Sequence, residues 1–276
     1  MNAPSSSTPV PPSSAHTTRP FKTEPFVAVP WERADLDSIV SRPFGIYLHV
    51  PFCTSRCGYC DFNTYALRTF PPGPAGDPIA HWAEQLTKEL RLGAQILTDH
   101  NITPPAANTV FFGGGTPSLL GRQLPKILDV VRECFGIAPG AEITSEANPE
   151  STSPELFDCW RAGGVNRLSL GMQSSEPRVL ALLDRQHDPA RAVAAIEEAQ
   201  AAGFEHLNLD LIYGTPGETT DDVARSVDTV LATGVDHVSA YALTIEPGTA
   251  LFRKVAHGEI DPIDDCLLYT SDAADD

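Results

Sequence analysis

The sequence predicts an α/β fold of parallel strands. The arrangement is a (β/α)-type barrel, complete or partial, with a doubly wound open sheet as the second arrangement the same segments allow. Three observations carry this. Short runs of β-forming residues recur six times from Phe44 onward. Stretches with apolar residues at helical spacing separate them. Three of those stretches close alike, on "RAGGV", "AAGF" and "ATGV", and each runs into a strand within a few residues. Glycine there supplies the left-handed backbone that ends a helix. Strands joined by helices pair in parallel, and their C-terminal ends are where chemistry belongs in either arrangement.

The elements follow in order. "GIYLHV" (45–50) is a short apolar strand, and "HWAEQLTKELRLGAQILTD" (81–99) a helix with Trp82, Leu86, Leu90, Ile96 and Leu97 at helical spacing. "NTVFF" (108–112) is a strand expected to stop at three glycines. "SLLGRQLPKILDVVRECF" reads as a helix in which Pro125 marks a break or kink. "EITSEAN" (142–148) is the third strand; the next helix has Ser153 as N-cap and Pro154 at its first position. "VNRLSLGMQ" (165–173), "HLNLDLIYG" (206–214) and "DHVSAYALT" (236–244) are the last three strands, separated by helices ending at Gly203 and Gly234.

Composition narrows the function. A formal charge of −17 argues against a nucleic-acid or anionic-membrane partner, since both require a basic face. There is no apolar run long enough to span a bilayer. The Pro-, Ser- and Thr-rich start lacks the basic and apolar parts of a secretory signal, so the expected location is the cytoplasm. The same composition marks residues 1–40 as a disordered extension. Residues 41–250 form the core unit, and residues 251–276 are read as the start of a further domain joined to a non-native tail.

Three of the six cysteines crowd into "HVPFCTSRCGYCDFN", with the spacing Cys-x3-Cys-x2-Cys, directly after the first strand. Thiolates this close on a loop can wrap a single metal ion or a cluster. Structural zinc usually has four ligands, and His49 is the one nearby candidate for the fourth. An iron–sulfur cube is also held by thiolates. Held by only three, it leaves one iron open to a small molecule. Cys134 and Cys159 fall in helices and read as buried, inert thiols. Cys266 lies in the anomalous tail.

Several motifs occur in a fixed order: "YLHVPFC", "FFGGGTPSLL", "SEANPE", "RLSLGMQS", "NLDLIYGTPGET" and "YALTIEPGT". Between about Phe44 and Pro262 this series resembles the radical S-adenosylmethionine (SAM) superfamily, and within it the oxygen-independent coproporphyrinogen III oxidase-like family. The resemblance implies a partial (β/α)6 TIM-type barrel. It implies that Cys53, Cys57 and Cys60 hold a [4Fe–4S] cluster whose open iron binds SAM. One-electron reduction by an external donor then splits SAM into methionine and a 5′-deoxyadenosyl radical. It further implies SAM contacts at Tyr47, Gly114, Gly115, Thr116 and Glu146. Contacts to a second SAM molecule are implied at Gln173, Arg185, Asp210 and Ala242. Read from residues alone, the glycines also suit a tight strand-to-helix turn, and the polar residues a network sealing a barrel mouth.

Within that family the oxidases carry a further cysteine two residues after the third. Here that position is Phe62, which matches the heme-chaperone branch, whose members bind heme as cargo and deliver it to client proteins. The expected function is therefore a heme chaperone. The alternatives are a coproporphyrinogen oxidase acting in porphyrin biosynthesis and a zinc-stabilised barrel without radical chemistry. The branch has a later histidine-containing, aromatic-rich heme motif that is not among these 276 residues. The abrupt string "CLLYTSDAADD" therefore reads as foreign sequence joined to a shortened gene.

Overall fold

A computed structural model describes residues 38–70 and 76–261. The expected N-terminal disorder, for the most part, and the expected foreign tail with Cys266 lie outside the described residues. Among the described residues the chain builds one six-stranded parallel sheet. Its strands are β1 (Gly45–Val50), β2 (Ala107–Gly114), β3 (Ile137–Ala147), β4 (Arg167–Gln173), β5 (His206–Tyr213) and β6 (His237–Ala242). They lie side by side in chain order, each paired with the next. A doubly wound sheet would reverse its order at a switch point. This one never reverses, and it stays open at β1 and β6, so the partial-barrel expectation holds and the open doubly wound alternative falls.

The helices between the strands are α1 (Pro78–Asp99), α2 (Gln123–Cys134), α3 (Pro154–Gly163), α4 (Pro177–Leu182), α5 (Pro189–Ala201) and α6 (Thr220–Thr233), and α7 (Ala250–Ala256) follows β6. Their starts are chemically specified. Asp77, Ser153 and Asp188 each precede a proline and accept a hydrogen bond from a backbone N–H of the first turn. Thr219 and Asp222 form a reciprocal capping box. Gly164 (φ 103°) and Gly234 (φ 71°) end α3 and α6 in the left-handed conformation the sequence called for.

The apolar core lies between the helices and one face of the sheet. It takes Leu48 and Val50 from β1, Val110 and Phe112 from β2, Leu168, Leu170 and Met172 from β4, and Leu207 and Leu209 from β5. Facing them are Leu124, Ile127, Leu128 and Val131 of α2, Phe157 and Trp160 of α3, and Ile196 of α5. The buried indole of Trp160 donates to the Gly121 carbonyl at 2.9 Å, so no polar group is stranded there.

Several boundaries differ from expectation. β2 does not stop at the glycines but runs through Gly113 and Gly114, because its backbone keeps pairing with β1 as far as Val50. β3 begins at Ile137, five residues before the apolar run that announced it. The long helix expected from Ser118 is a 3-10 turn, Pro117–Leu120, followed by α2. Pro125 makes no kink: it is the third residue of α2, where its missing N–H would have had no intrahelical partner. α4 and α7, of six and seven residues, are too short to show a helical period in sequence.

Candidate cluster and ligand site

Strand alternation gives the sheet two unlike faces. The residues between the core positions turn to the other side: Phe111, Glu146, Ser169, Asn208, Asp210, Ser239 and Tyr241 all line one cavity of about 520 Å³. Walls from five strands around one space require the sheet to curl. Register places Glu146 beside Ser169 and Asn208, and Gly171 beside Asp210 and Ser239. The cysteine loop, which follows the C-terminal end of β1, lines the same cavity.

That loop is held from several sides. Its root is a two-residue parallel bridge, Phe52–Cys53 against Tyr65–Ala66. The Gly115 and Thr116 amides donate to the Val50 and Phe52 carbonyls, each at 2.7 Å. A Cβ on Gly115 would lie 2.5 Å from the Phe52 oxygen, so this approach requires glycine. Further on, the Gly58 amide donates to the Leu183 carbonyl (3.0 Å) and the Leu251 amide donates to the Gly58 carbonyl (2.8 Å). Tyr59 packs against a second small core of Val179, Leu183, Ile212, Leu243 and Leu251. Cys53, Cys57 and Cys60 are free thiols, and all three line the cavity. Burial pushes the Cys53 thiol up, partly opposed by the hydroxyls of Thr116 and Thr64.

Eleven of the twelve site residues expected from sequence line this cavity: the three cysteines, Gly114, Gly115, Thr116, Glu146, Gln173, Arg185, Asp210 and Ala242. Tyr47 does not. It stands outside, 58% exposed, stacked on Phe111, its hydroxyl 3.0 Å from His49 Nδ1. His49 Nε2 lies 3.0 Å from the Asn63 carbonyl, so Nε2 carries the proton and Nδ1 accepts from Tyr47. With both ring nitrogens engaged, His49 is not a ligand in waiting for the cysteines. It ties β1 to the far end of the loop.

The Gly114 amide donates to Glu146 Oε2 at 3.0 Å. Burial, with the charge of Asp210 adding to it, pushes the Glu146 carboxyl up to about 7. Asp210 is also raised by burial, against hydrogen bonds from Asn208, Ser169 and Ser239. Gln173 ends β4 beside a bulge with a left-handed backbone (φ 69°), uncommon for a non-glycine residue.

Sequence reasoning passed over Asn148. Its side chain donates to the Thr116 hydroxyl (3.1 Å) and accepts from Arg185 (3.1 Å), joining two predicted site residues. The signal was there: Asn148 sits in "SEANPE", two residues from Glu146 and so on the same face. Cys134 and Cys159 are half-buried rather than buried, and neither lines the cavity; burial still pushes the Cys134 thiol up.

The donor set fits an iron–sulfur cube with a polar ligand beside it. Among the described residues no three His, Cys, Asp or Glu side chains converge as a single metal ion requires. A cube makes a different demand, one thiolate for each of three irons. Among the described residues, buried Gln173 Oε1 and Arg185 Nε have no hydrogen-bond partner, as in a site built for a polar guest.

Comparison with known proteins agrees. The chain is 54% identical to the heme chaperone HemW of Mycobacterium tuberculosis over 252 residues, 91% of this chain and 62% of that protein. It is 36% identical to HemW of Escherichia coli over 210 residues, 75% of this chain and 52% of that protein. The chain thus spans about half to three-fifths of the length of these relatives. Among solved structures it superposes on coproporphyrinogen III oxidase HemN from Escherichia coli with a TM-score of 0.70 and 28% identity, over 83% of this chain and 52% of that one. The Radical SAM superfamily pattern matches residues 47–230. With the fold, the cysteine loop and this match in agreement, the chain belongs to the radical SAM superfamily.

Proposed function

We propose that this chain is the cluster- and SAM-binding core of a heme chaperone, which carries heme to client proteins. Phe62 carries the reading. At the second position after the third cysteine, where the family's oxidases have a further thiol, stands an aromatic ring 58% exposed on the cavity wall. A phenyl group can neither ligate iron nor exchange a proton, but it offers a flat apolar face. The identity with proteins named as heme chaperones supports the same reading.

In this proposal Cys53, Cys57 and Cys60 hold the [4Fe–4S] cluster. With SAM bound, the cluster supplies one-electron chemistry drawn from an external donor. The remaining work belongs to the chain. The amides and carbonyls around Gly114, Gly115 and Thr116 present a side-chain-free edge for close approach. Glu146, poised near neutrality, ionises when a ligand ammonium arrives and pairs with it. Gln173, Arg185, Asp210 and the Ala242 backbone meet the polar groups of a second guest, and Tyr47 backs the wall from outside, stacked on Phe111. The free thiols suit a reducing cytoplasm. Among the described residues no helix is long and apolar enough to cross a membrane.

The test is anaerobic reconstitution of the protein, including any further sequence its gene encodes. The expected product is brown, with about four irons per chain. It binds heme and leaves coproporphyrinogen unchanged under reducing conditions. Conversion of that substrate to protoporphyrinogen would establish the oxidase instead. A colourless protein containing only zinc would establish the inert barrel.

A further inference from the structure

Arg185 was expected to meet a ligand, yet its firmest contacts are elsewhere. Nη1 donates to Cys57 Sγ at 3.4 Å. Nη2 donates to the Gly171 carbonyl at 2.7 Å and to Asn148 Oδ1 at 3.1 Å. The guanidinium is thus fixed by β4 and by the loop after β3, and aimed at a cysteine of the cluster loop. The missing side chain of Gly171 leaves room for it: a Cβ there would lie 2.7 Å from Arg185 Nη2 and 2.8 Å from Gln173 Nε2. The residues before it are fastened to the same loop: the Leu183 carbonyl accepts from the Gly58 amide, and Asp184 packs against Gly58. Asp184 itself holds a left-handed backbone (φ 54°), with Lys254 Nζ 3.3 Å from its carboxylate.

We infer that Arg185 is a positioning residue that holds the Cys57 thiolate and raises the reduction potential of the cluster bound there. The inference rests on the cluster assignment proposed above. Hydrogen bonds to cluster sulfurs and nearby charge are two of the main determinants of such potentials. One-electron reduction by an external donor adds one negative charge to the cluster and its thiolates. A fixed cation in hydrogen-bond contact with one thiolate stabilises that added charge more than it stabilises the oxidised state. Arg185 therefore makes the electron easier to accept. A role confined to packing would leave the potential alone, because the carbonyl contacts of the guanidinium are indifferent to the cluster's oxidation state.

The experiment is a dye-mediated dithionite titration of the reconstituted protein, followed by the EPR signal of the reduced cluster. In Arg185→Gln the reduction equilibrium should shift toward the oxidised state at least tenfold, 59 mV for a one-electron couple. Arg185→Lys, which keeps the charge but loses the fork, should recover part of that shift. If Arg185→Gln assembles no cluster, Gly171→Ala carries the test. Its methyl crowds both the guanidinium and the Gln173 amide while the arginine remains, and the potential should fall in the same direction. A cluster that assembles in these variants with the wild-type potential overturns the inference and leaves the cluster assignment standing. A wild-type protein that takes up no iron overturns both.

Discussion

The two faces of this sheet are made by the same strands and obey different rules. Along β4, Leu168, Leu170 and Met172 are fully buried against helices. Alternating with them, Ser169, Gly171 and Gln173 face the cavity. The helix face is closed and apolar, and its side chains fill space. The cavity face carries two raised carboxyls, an unsatisfied amide oxygen and a guanidinium held on a cysteine. Stability is concentrated on one side, and chemistry is carried on the other at some cost to stability. Substitutions on the two faces should therefore fail in opposite ways.

The largest effect is expected on the helix face. Phe112 is completely buried in β2, one residue from Phe111 of the cavity wall. Phe112→Ala removes a ring from a packed core and should cost about 3–5 kcal/mol. Urea denaturation checks this, as a fall in midpoint with an unchanged slope. A loss below about 1 kcal/mol would mean that the two faces are not energetically distinct.

On the cavity face the sign should reverse. Folding raises the Glu146 carboxyl to about 7 from an ordinary value near 4.5. The folded chain thus binds this proton more tightly than the unfolded chain does. Its contribution to stability is fully present below about pH 4.5 and is lost as pH rises through 7. The loss is of the order of 3 kcal/mol. Glu146→Gln cannot ionise and keeps an oxygen for the Gly114 amide. It should flatten this part of the pH dependence, leaving the smaller share due to Asp210, and make the ligand-free chain more stable at pH 8. The same change should weaken SAM binding, since the neutral amide cannot pair with an ammonium. Denaturation midpoints between pH 5 and 8, with calorimetry of SAM binding, decide it. A Glu146→Gln chain no more stable than wild type at pH 8 would remove the trade-off.

The faces also differ in how legible they are in sequence. The helix face is written in hydrophobic periodicity, which is local, and every strand and long helix could be placed from it. Much of the cavity face could be placed as well, but only because Cys53, Glu146, Gln173 and Asp210 sit in recognisable motifs on the strands or just after them. The unread part depends on distance in space rather than in sequence. Asn148 links Thr116 to Arg185, and Leu183 grips Gly58 across a span no local pattern reports. Arg185 itself could be named from the family resemblance, but its contact with Cys57, 128 residues away, could not. Short elements such as α4 and α7 were missed for the same reason: each is defined by what it packs on, here the small core around Tyr59.

The smallest effect sharpens the comparison most. Ser153 caps α3 on the helix side, its hydroxyl oxygen accepting from the Leu156 amide at 3.3 Å, and it does not line the cavity. Ser153→Ala removes the side-chain acceptor of the Leu156 amide, leaving it only the Ser153 carbonyl at 3.0 Å, and should cost about 1 kcal/mol. Because α3 contributes stability and no residue of it lines the cavity, the iron content and the cluster's EPR spectrum should match wild type. A normal midpoint with an altered cluster would mean that the cap acts through the segment from Asn148 to Thr152, which joins β3 to α3. The division of labour would then lie between regions of chain, not between the two faces of the sheet.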